Sequence, residues 1–236
     1  MSGVYAYCVL GSGHRPPDGL VGLDDGVVRA LDVGPLTVWL SDVDGPPAAD
    51  LLAIGRHDDV VRSASRAGAA APLRFGAWAP DEAALRHRID ESRASIESTL
   101  QTVADCVEMG IRVVRADEVP SGIPEPDGGE AFATGRAAAG TGRAYLRALA
   151  GAHAARLRRR EAQDALARRL AEALSPLVRA HRLSYLAPPE VVALAHLVRV
   201  GDESEYRRRV EESAARQGGA VELHVTGPWP PYSFAS

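Results

Sequence analysis

A segment rich in proline and glycine interrupts the chain near its middle and limits the folds open to the sequence. Residues 119–140 contain three prolines and five glycines and show no long apolar periodicity. This composition is typical of a linker or a surface loop. A chain of 236 residues can form one large domain or two small ones, and the segment favours two. We therefore expect an N-terminal α+β domain at 1–118, a linker at 119–138 and a C-terminal domain at 139–236.

The residues before this segment predict a mixed α/β-sheet domain. The stretch Gly3–Leu10 is apolar on both of its alternating faces, which favours a strand covered on both sides. The other elements predicted here are a hairpin of Val27–Leu31 and Leu36–Val43 with its turn at Asp32–Pro35, a helix at Ala48–Ala67 and a strand at Ala71–Trp78.

A long amphipathic helix is predicted after Pro80. Asp81 and Glu82 favour the positive end of its dipole. We expect Gly110 to end this helix and Ile111–Val114 to return as the last strand of the first domain. Apolar residues recur at helical spacing and should form one buried face: Leu85, Ile89, Ile96, Leu100, Val103 and Val107.

The residues after the segment predict a domain that begins with a long helix. The leucine spacing supports a helix at Thr141–Leu174, about 50 Å long, part of which should project or pack against the first domain. The pair Ser175 and Pro176 predicts a kink or a new helix at that point. The order that follows is that of a modified ferredoxin-like domain: strands at Leu183–Leu186 and Val191–Val200, a helix at Asp202–Arg216 and a strand at Ala220–Thr226.

Charge and composition exclude several classes of protein. All 27 basic residues are arginine; residues 1–118 hold 11 of them against 18 acidic residues, and residues 119–236 hold 16 against 13. Neither half is basic enough to indicate nucleic acid binding. The N-terminus lacks a basic leader, and no apolar run reaches the roughly 18 residues that span a bilayer. The two cysteines lie far apart in the sequence, so we expect reduced thiols and a soluble, cytoplasmic protein that binds no membrane.

The sequence patterns that carry catalytic or metal chemistry are missing. The seven histidines form no metal-ligand spacing with one another or with cysteine. His57 is interpreted as part of a solvated polar turn, and His196, within an apolar strand, as a core histidine. No serine lies in a GxSxG setting, and a chain without lysine forms no Schiff base. We expect no catalytic residues and no metal.

Two glycine and arginine groups leave an anion-binding alternative open. Gly142 and Arg143 stand at a predicted helix start, where free backbone N–H groups and a guanidinium favour an anion. A flexible helix entry without a ligand explains them too, and it is the favoured interpretation. Arg74 and Gly76 close a predicted strand just before a helix, a second place for an anion, although Phe75 equally suits the core.

The C-terminus is unusually aromatic for a chain end. Trp229, Tyr232 and Phe234 lie within the last eight residues and are held semi-rigid by neighbouring prolines. A chain end is normally frayed and polar. These rings must therefore dock on the protein itself or on a partner, and docking on the protein itself costs less ordering entropy.

Five motifs occur together in the order in which a known family has them. They are GVYAYCVL at the N-terminus, LRFG before the long helix, VEMGIRV, GRAYL and the closing TGPWPPYSF. On these motifs the chain resembles the gas vesicle protein family GvpL/GvpF over nearly its whole length. The motif positions that we carry forward are Arg74, Phe75, Gly76, Glu108, Gly142, Arg143, Tyr145, Gly227, Pro228, Trp229, Pro230, Pro231, Tyr232 and Phe234.

The resemblance implies a non-catalytic accessory or minor structural protein of gas vesicles. It implies two α+β domains, the second modified ferredoxin-like, with no cofactor. It also implies contact with the major gas vesicle shell protein, and with other gas vesicle accessory proteins, during assembly. The alternative is a ferredoxin-like protein that binds an anion or another ligand, or acts as an enzyme, through Arg74 or Arg143.

Overall fold

The computed structural model describes residues 2–115, 141–185, 190–216 and 221–235. Within these ranges the chain forms two antiparallel sheets and five helices. The strands are β1 (Gly3–Gly11), β2 (Arg29–Val33), β3 (Leu36–Val43), β4 (Ala70–Pro72), β5 (Trp78–Ala79), β6 (Cys106–Arg115), β7 (Val178–Tyr185), β8 (Glu190–Arg199) and β9 (Val221–Trp229). The helices are α1 (Leu51–Ala67), α2 (Glu82–Glu91), α3 (Arg93–Val103), α4 (Thr141–Leu174) and α5 (Glu203–Arg216).

The first sheet has the order β2-β3-β1-β4, with β5 paired to the other end of β1. A register shift between Ala6 and Cys8 places Tyr7 and Cys8 on the same face of the sheet. That face packs against α1, and the opposite face, which carries Val4 and Ala6, packs against α2 and α3. The predicted strand at Gly3–Leu10 is confirmed, and it is covered on both sides.

Two elements predicted between residues 71 and 110 are wrong. The single strand expected at Ala71–Trp78 is two short strands, β4 and β5, which pair with opposite ends of β1. The helix expected to run to Gly110 is broken at Ser92 and ends at Val103. Asp105 then takes a left-handed conformation with φ of 55°, which turns the chain directly into β6.

The spacing of apolar residues gave a wrong prediction for the C-terminal end of this helix. Val107, counted as part of the buried helix face, lies in β6 and is paired with Val198 of β8. Gly110 is no helix end, since it stands in the middle of β6. A Cβ at Gly110 would lie 2.4 Å from the Thr226 hydroxyl oxygen, so a glycine is needed for the close approach of β9.

The second sheet has the order β7-β8-β6-β9, and every neighbouring pair is antiparallel. β6 therefore lies inside the second sheet, and the prediction of Ile111–Val114 as a strand of the first domain's sheet is wrong. A single apolar strand carries no sign of which sheet it will join, because its partners are decided by long-range pairing. Helices α4 and α5 cover one face, where the core consists of Met109, Ile111, Val113, Leu166, Leu170, Leu174, Val192, Leu194, Val198, Tyr206 and Val210.

The long helix α4 packs on the second sheet through its C-terminal end. Leu166, Leu170 and Leu174 are buried there, whereas Leu149 and Leu157 remain about half exposed. The helix ends at Leu174, and residues 175–177 form a turn into β7. Of the two predictions made for Ser175 and Pro176, a kink or a new helix, the new helix is wrong, since the chain turns there into a strand. The strand expected at Leu183–Leu186 begins earlier, at Val178.

A buried histidine in the second core makes stability depend on pH. His196 is 1% exposed, and its Nδ1 shares a hydrogen bond of 2.8 Å with the Tyr206 hydroxyl. Burial, together with nearby His181, lowers the pKa of His196 from 6.5 to about 4. Below pH 6.5 the unfolded chain thus binds a proton at this histidine that the folded chain does not bind. The free energy of unfolding therefore falls as the pH falls towards 4. Between pH 7 and pH 5 we expect His196 alone to lower the free energy of unfolding by about 2 kcal/mol.

Urea unfolding at the two pH values measures this drop. In His196→Gln it should shrink, while His87→Gln, which changes an exposed histidine, should leave it intact. An equal pH dependence in the wild type and in His196→Gln would contradict the assignment.

Candidate functional site

The C-terminal segment, defined as Gly227–Phe234, docks on its own chain. Pro230 and Pro231 are buried, and a short 3-10 helix at Tyr232–Phe234 brings Phe234 to 5% exposure. Of the two docking possibilities left open by the sequence, the structure shows the first, contact with the protein itself. The segment touches α1 on one side and the second sheet on the other, so it bridges the two sheets.

The contacts with α1 are polar and aromatic. The Tyr232 hydroxyl donates to Asp58 Oδ1 at 3.0 Å, and Arg62 Nε donates to Asp58 Oδ2 at 2.5 Å. The Arg62 guanidinium also lies 4.4 Å from the centre of the Trp229 ring, a cation–π distance. Burial and the charge of Asp58 raise the pKa of Tyr232, so its hydroxyl stays a donor.

The contacts with the second sheet combine a carboxylate and a buried ring. Glu108 accepts two hydrogen bonds from Ser233, one from the backbone N–H at 2.8 Å and one from the hydroxyl at 2.7 Å. Phe234 belongs to a small core with Val103 and Leu197. Gly227 has φ of 101°, and a Cβ there would lie 2.6 Å from the Glu108 carbonyl oxygen, which explains why a glycine opens the segment.

A second group of motif residues meets the segment at a buried histidine. The Tyr5 hydroxyl accepts from the Gly76 N–H at 3.1 Å and lies 2.9 Å from His57 Nδ1, to which it donates its own hydrogen. The His57 ring is 5.8 Å from the Phe75 ring and 6.2 Å from the Tyr232 ring. Burial lowers the pKa of His57, which keeps the ring neutral and able to accept this bond.

The interpretation of His57 as part of a solvated turn is therefore wrong. The residue is 3% exposed because it lies on the buried face of α1 with Val60, Val61 and Ala64. The apolar residues three and four positions further along mark this face, and that spacing was the available sign of its burial.

Other predicted site residues do not contribute to the contacts around His57 and the C-terminal segment. Arg74 is exposed in the loop between β4 and β5, and α2 begins eight residues later, at Glu82, so Arg74 does not stand just before a helix. Gly142, Arg143 and Tyr145 lie in the first turns of α4, and their side chains fall outside the described residues. Four of the five sequence motifs thus contribute to one region, and the fourth in chain order, GRAYL, cannot be placed in it.

A cavity of about 510 Å³ lies beside the docked segment. It is bounded by α1, by the junction of α3 with β6 and by the prolines of the segment, and Arg62, Arg66, Val103, Cys106, Val200 and Trp229 are among its lining residues. Trp229 is 40% exposed there. Among the described side chains, no group of three or more His, Cys, Asp or Glu is placed to hold a metal ion. In the ranges the structure describes, no helix is both long and apolar enough to cross a membrane.

Removal of the Glu108 carboxylate should loosen the C-terminal segment. In Glu108→Ala the Ser233 N–H and hydroxyl lose their acceptor; because the site is partly exposed, we expect a cost of only about 1 to 2 kcal/mol. The clearest measurement is amide hydrogen exchange of the last ten residues, which should speed up. Glu222→Ala, which removes an exposed carboxylate from β9, is the matched control and should leave that exchange unchanged.

Comparisons with known proteins identify the family of the chain. Residues 3–236 match the family of gas vesicle synthesis proteins GvpL/GvpF. The chain is 32% identical over 215 residues to gas vesicle protein L of Streptomyces sp. (strain CB03234), covering 87% of this chain and 75% of that one. It is 30% identical over 241 residues to gas vesicle protein F of the same organism, covering 98% of both.

The fold is shared with solved structures of this group. The crystal structure of the gas vesicle protein GvpF from Anabaena sp. PCC7120 superimposes with a TM-score of 0.75 at 18% identity, over 100% of this chain and 97% of that one. GvpF from Microcystis aeruginosa gives 0.73 at 17% identity, over 99% of both chains. The protein is thus a gas vesicle protein with an α+β fold. It belongs to the GvpL/GvpF family.

Proposed function

We propose that this protein is a non-catalytic accessory or minor structural protein that acts in gas vesicle assembly by binding the major shell protein. Membership of the GvpL/GvpF family over residues 3–236 carries this proposal. A shell subunit with apolar surface and free strand edges aggregates unless it is covered. The protein would shield such a subunit in the cytoplasm and deliver it to the growing vesicle.

The second sheet supports two domains, the second of them ferredoxin-like. The chain order β6-α4-β7-β8-α5-β9 with the sheet order β7-β8-β6-β9 is the β-α-β-β-α-β arrangement of that fold. In this proposal the second domain begins with β6. Residues 119–138 then connect β6 to α4 within it, rather than joining the two domains.

The edge strand β7 offers a place for a shell segment to add as a further strand. Among the described strands β7 pairs only with β8, and Arg179, His181, Arg182, Leu183 and Ser184 along it are all exposed. An exposed edge of eight residues can pair with an extended partner through backbone hydrogen bonds. Acidic residues of the first half would attract basic side chains of the same partner.

Co-expression with the major shell protein tests the proposal. The full chain should keep the shell protein in the soluble fraction and retain it in a pull-down. Leu183→Lys, on the β7 edge, should reduce retention, whereas Leu149→Lys, at a similarly exposed leucine of α4, should not. If the unchanged chain retained no shell protein, the shielding mechanism would be wrong. The charge contribution fails if retention is insensitive to about 0.5 M salt.

A further inference from the structure

The first turn of α1 carries apolar side chains that no other described element of the chain covers. Leu51 is 90% exposed, Leu52 75% and Ile54 44%, and we refer to these three residues as the α1 patch. The buried face of α1 runs through His57 and Val60. At 3.6 residues per turn, Leu51 and Leu52 stand about 120° and 140° around the helix from His57, so they point away from the first sheet.

A groove with an acidic margin lies next to the α1 patch. It is a space of about 320 Å³ between the start of α1 and the short 3-10 helix at residues 23–25, with Leu23 and Leu52 among its apolar residues. Asp24, Asp25 and Asp50 also line it, and we refer to them as the acidic rim. Arg56 is the one basic residue among the described groove residues, and it lies 3.5 Å from Asp25.

We infer that the α1 patch and the acidic rim form a docking surface for a basic amphipathic segment of another protein. Its apolar side chains would cover Leu51 and Leu52 and enter the groove, and its arginines or lysines would face the rim. Exposed apolar side chains that adjoin an apolar groove with a polar rim are typical of an interaction site. The carboxylates select the charge of the partner, because like charges brought together cost several kcal/mol.

The same charges argue against two other occupants. A second copy of the chain docked patch to patch would bring its own acidic rim against this one. An anionic lipid surface attracts basic residues and would repel the carboxylates of the acidic rim. The docking surface lies on α1, which packs on the first sheet, whereas β7 is an edge strand of the second sheet, so binding at the docking surface can be tested separately from the pairing of a shell segment with β7.

The experiment measures binding of a defined probe to the full chain. The probe is a helical peptide of leucine and lysine in amphipathic order, and its dissociation constant is measured by fluorescence anisotropy. Leu51→Ser/Leu52→Ser should weaken binding by about tenfold or more, the equivalent of about 1.4 kcal/mol. Leu149→Ser/Leu157→Ser, at two leucines of α4 that are 54% and 52% exposed, is the matched control and should stay within about twofold.

A second pair of variants tests the acidic rim. Asp24 and Asp25 have φ of 51° and 53°, and asparagine tolerates that conformation. Asp24→Asn/Asp25→Asn should therefore keep the loop, weaken binding and flatten its dependence on salt. Glu161→Gln/Glu172→Gln removes two exposed carboxylates of α4 and should change neither.

Three results would overturn the inference. One is equal affinity of the probe for the wild type and the Leu51/Leu52 variant. Another is equally tight binding of a leucine and glutamate peptide of the same pattern. The third is that the free chain sediments as an oligomer, or binds anionic vesicles, and that Leu51→Ser/Leu52→Ser abolishes this behaviour. The occupant of the docking surface would then be a second copy of the chain or a lipid surface.

Discussion

Phe234→Ala should lower the free energy of unfolding by about 3 to 5 kcal/mol, the cost of truncating a buried phenylalanine. The ring is 5% exposed and fills a small core with Val103 and Leu197, which belong to α3 and β8. Truncation therefore leaves a cavity between elements that come from the two halves of the chain. Urea unfolding followed by circular dichroism measures the loss directly.

Trp229→Ala is the informative comparison for this variant. Trp229 is 40% exposed and contacts the Arg62 guanidinium, so its truncation removes less buried surface than that of Phe234. We expect Trp229→Ala to cost only about 1 to 2 kcal/mol. If the two variants were equally destabilised, the C-terminal segment would not be anchored through Phe234 as the structure has it.

Hydrophobic periodicity predicted most of the elements correctly. The double-sided apolar pattern of Gly3–Leu10, the hairpin β2–β3 and the long helix α4 all follow from local spacing, and the structure confirms them. Local spacing failed between Leu100 and Val107, where steps of three and four residues are compatible with a continuing helix. The chain instead leaves the helix at Val103, because β8 and β9 offer Cys106–Arg115 hydrogen-bond partners on both sides.

The candidate site was predicted only as separate pieces. The aromatic C-terminus, the LRFG motif and Glu108 were each selected from the sequence, yet no local signal shows that Tyr232 reaches Asp58, 174 residues earlier in the chain. The burial of His57 was missed for a related reason. Its two aspartate neighbours suggest a solvated turn, whereas its position on α1 is decided by packing against β1.

The docked C-terminal segment brings four of the five sequence motifs into contact with one another. Glu108 and Asp58, one on each side, accept hydrogen bonds from two adjacent residues of the segment. Phe75 and Tyr232 then contact the same histidine ring. The segment therefore fixes the first sheet relative to the second, and a surface on either sheet is presented to a partner in a defined orientation.

Tyr5→Phe should destabilise the protein by about 2 to 3 kcal/mol although it removes a single oxygen atom. Burial raises the pKa of Tyr5 to about 12, so its hydroxyl keeps the hydrogen that it donates to His57 Nδ1. Phenylalanine preserves the packing of the ring but leaves a buried acceptor unpaired, at a cost of about 1 to 3 kcal/mol, and removes the acceptor of the Gly76 N–H as well.

A double-mutant cycle separates the hydrogen bond from packing. In a His57→Leu background, where Nδ1 is absent, Tyr5→Phe should cost less than half of what it costs in the wild type, since replacing both partners by apolar groups removes the unpaired atom. Unfolding in urea gives all four free energies. If Tyr5→Phe lowered the free energy of unfolding equally in the two backgrounds, Tyr5 would stabilise the protein through its ring alone. The His57 ring would then be held by Phe75 and Tyr232 rather than by the Tyr5 hydroxyl.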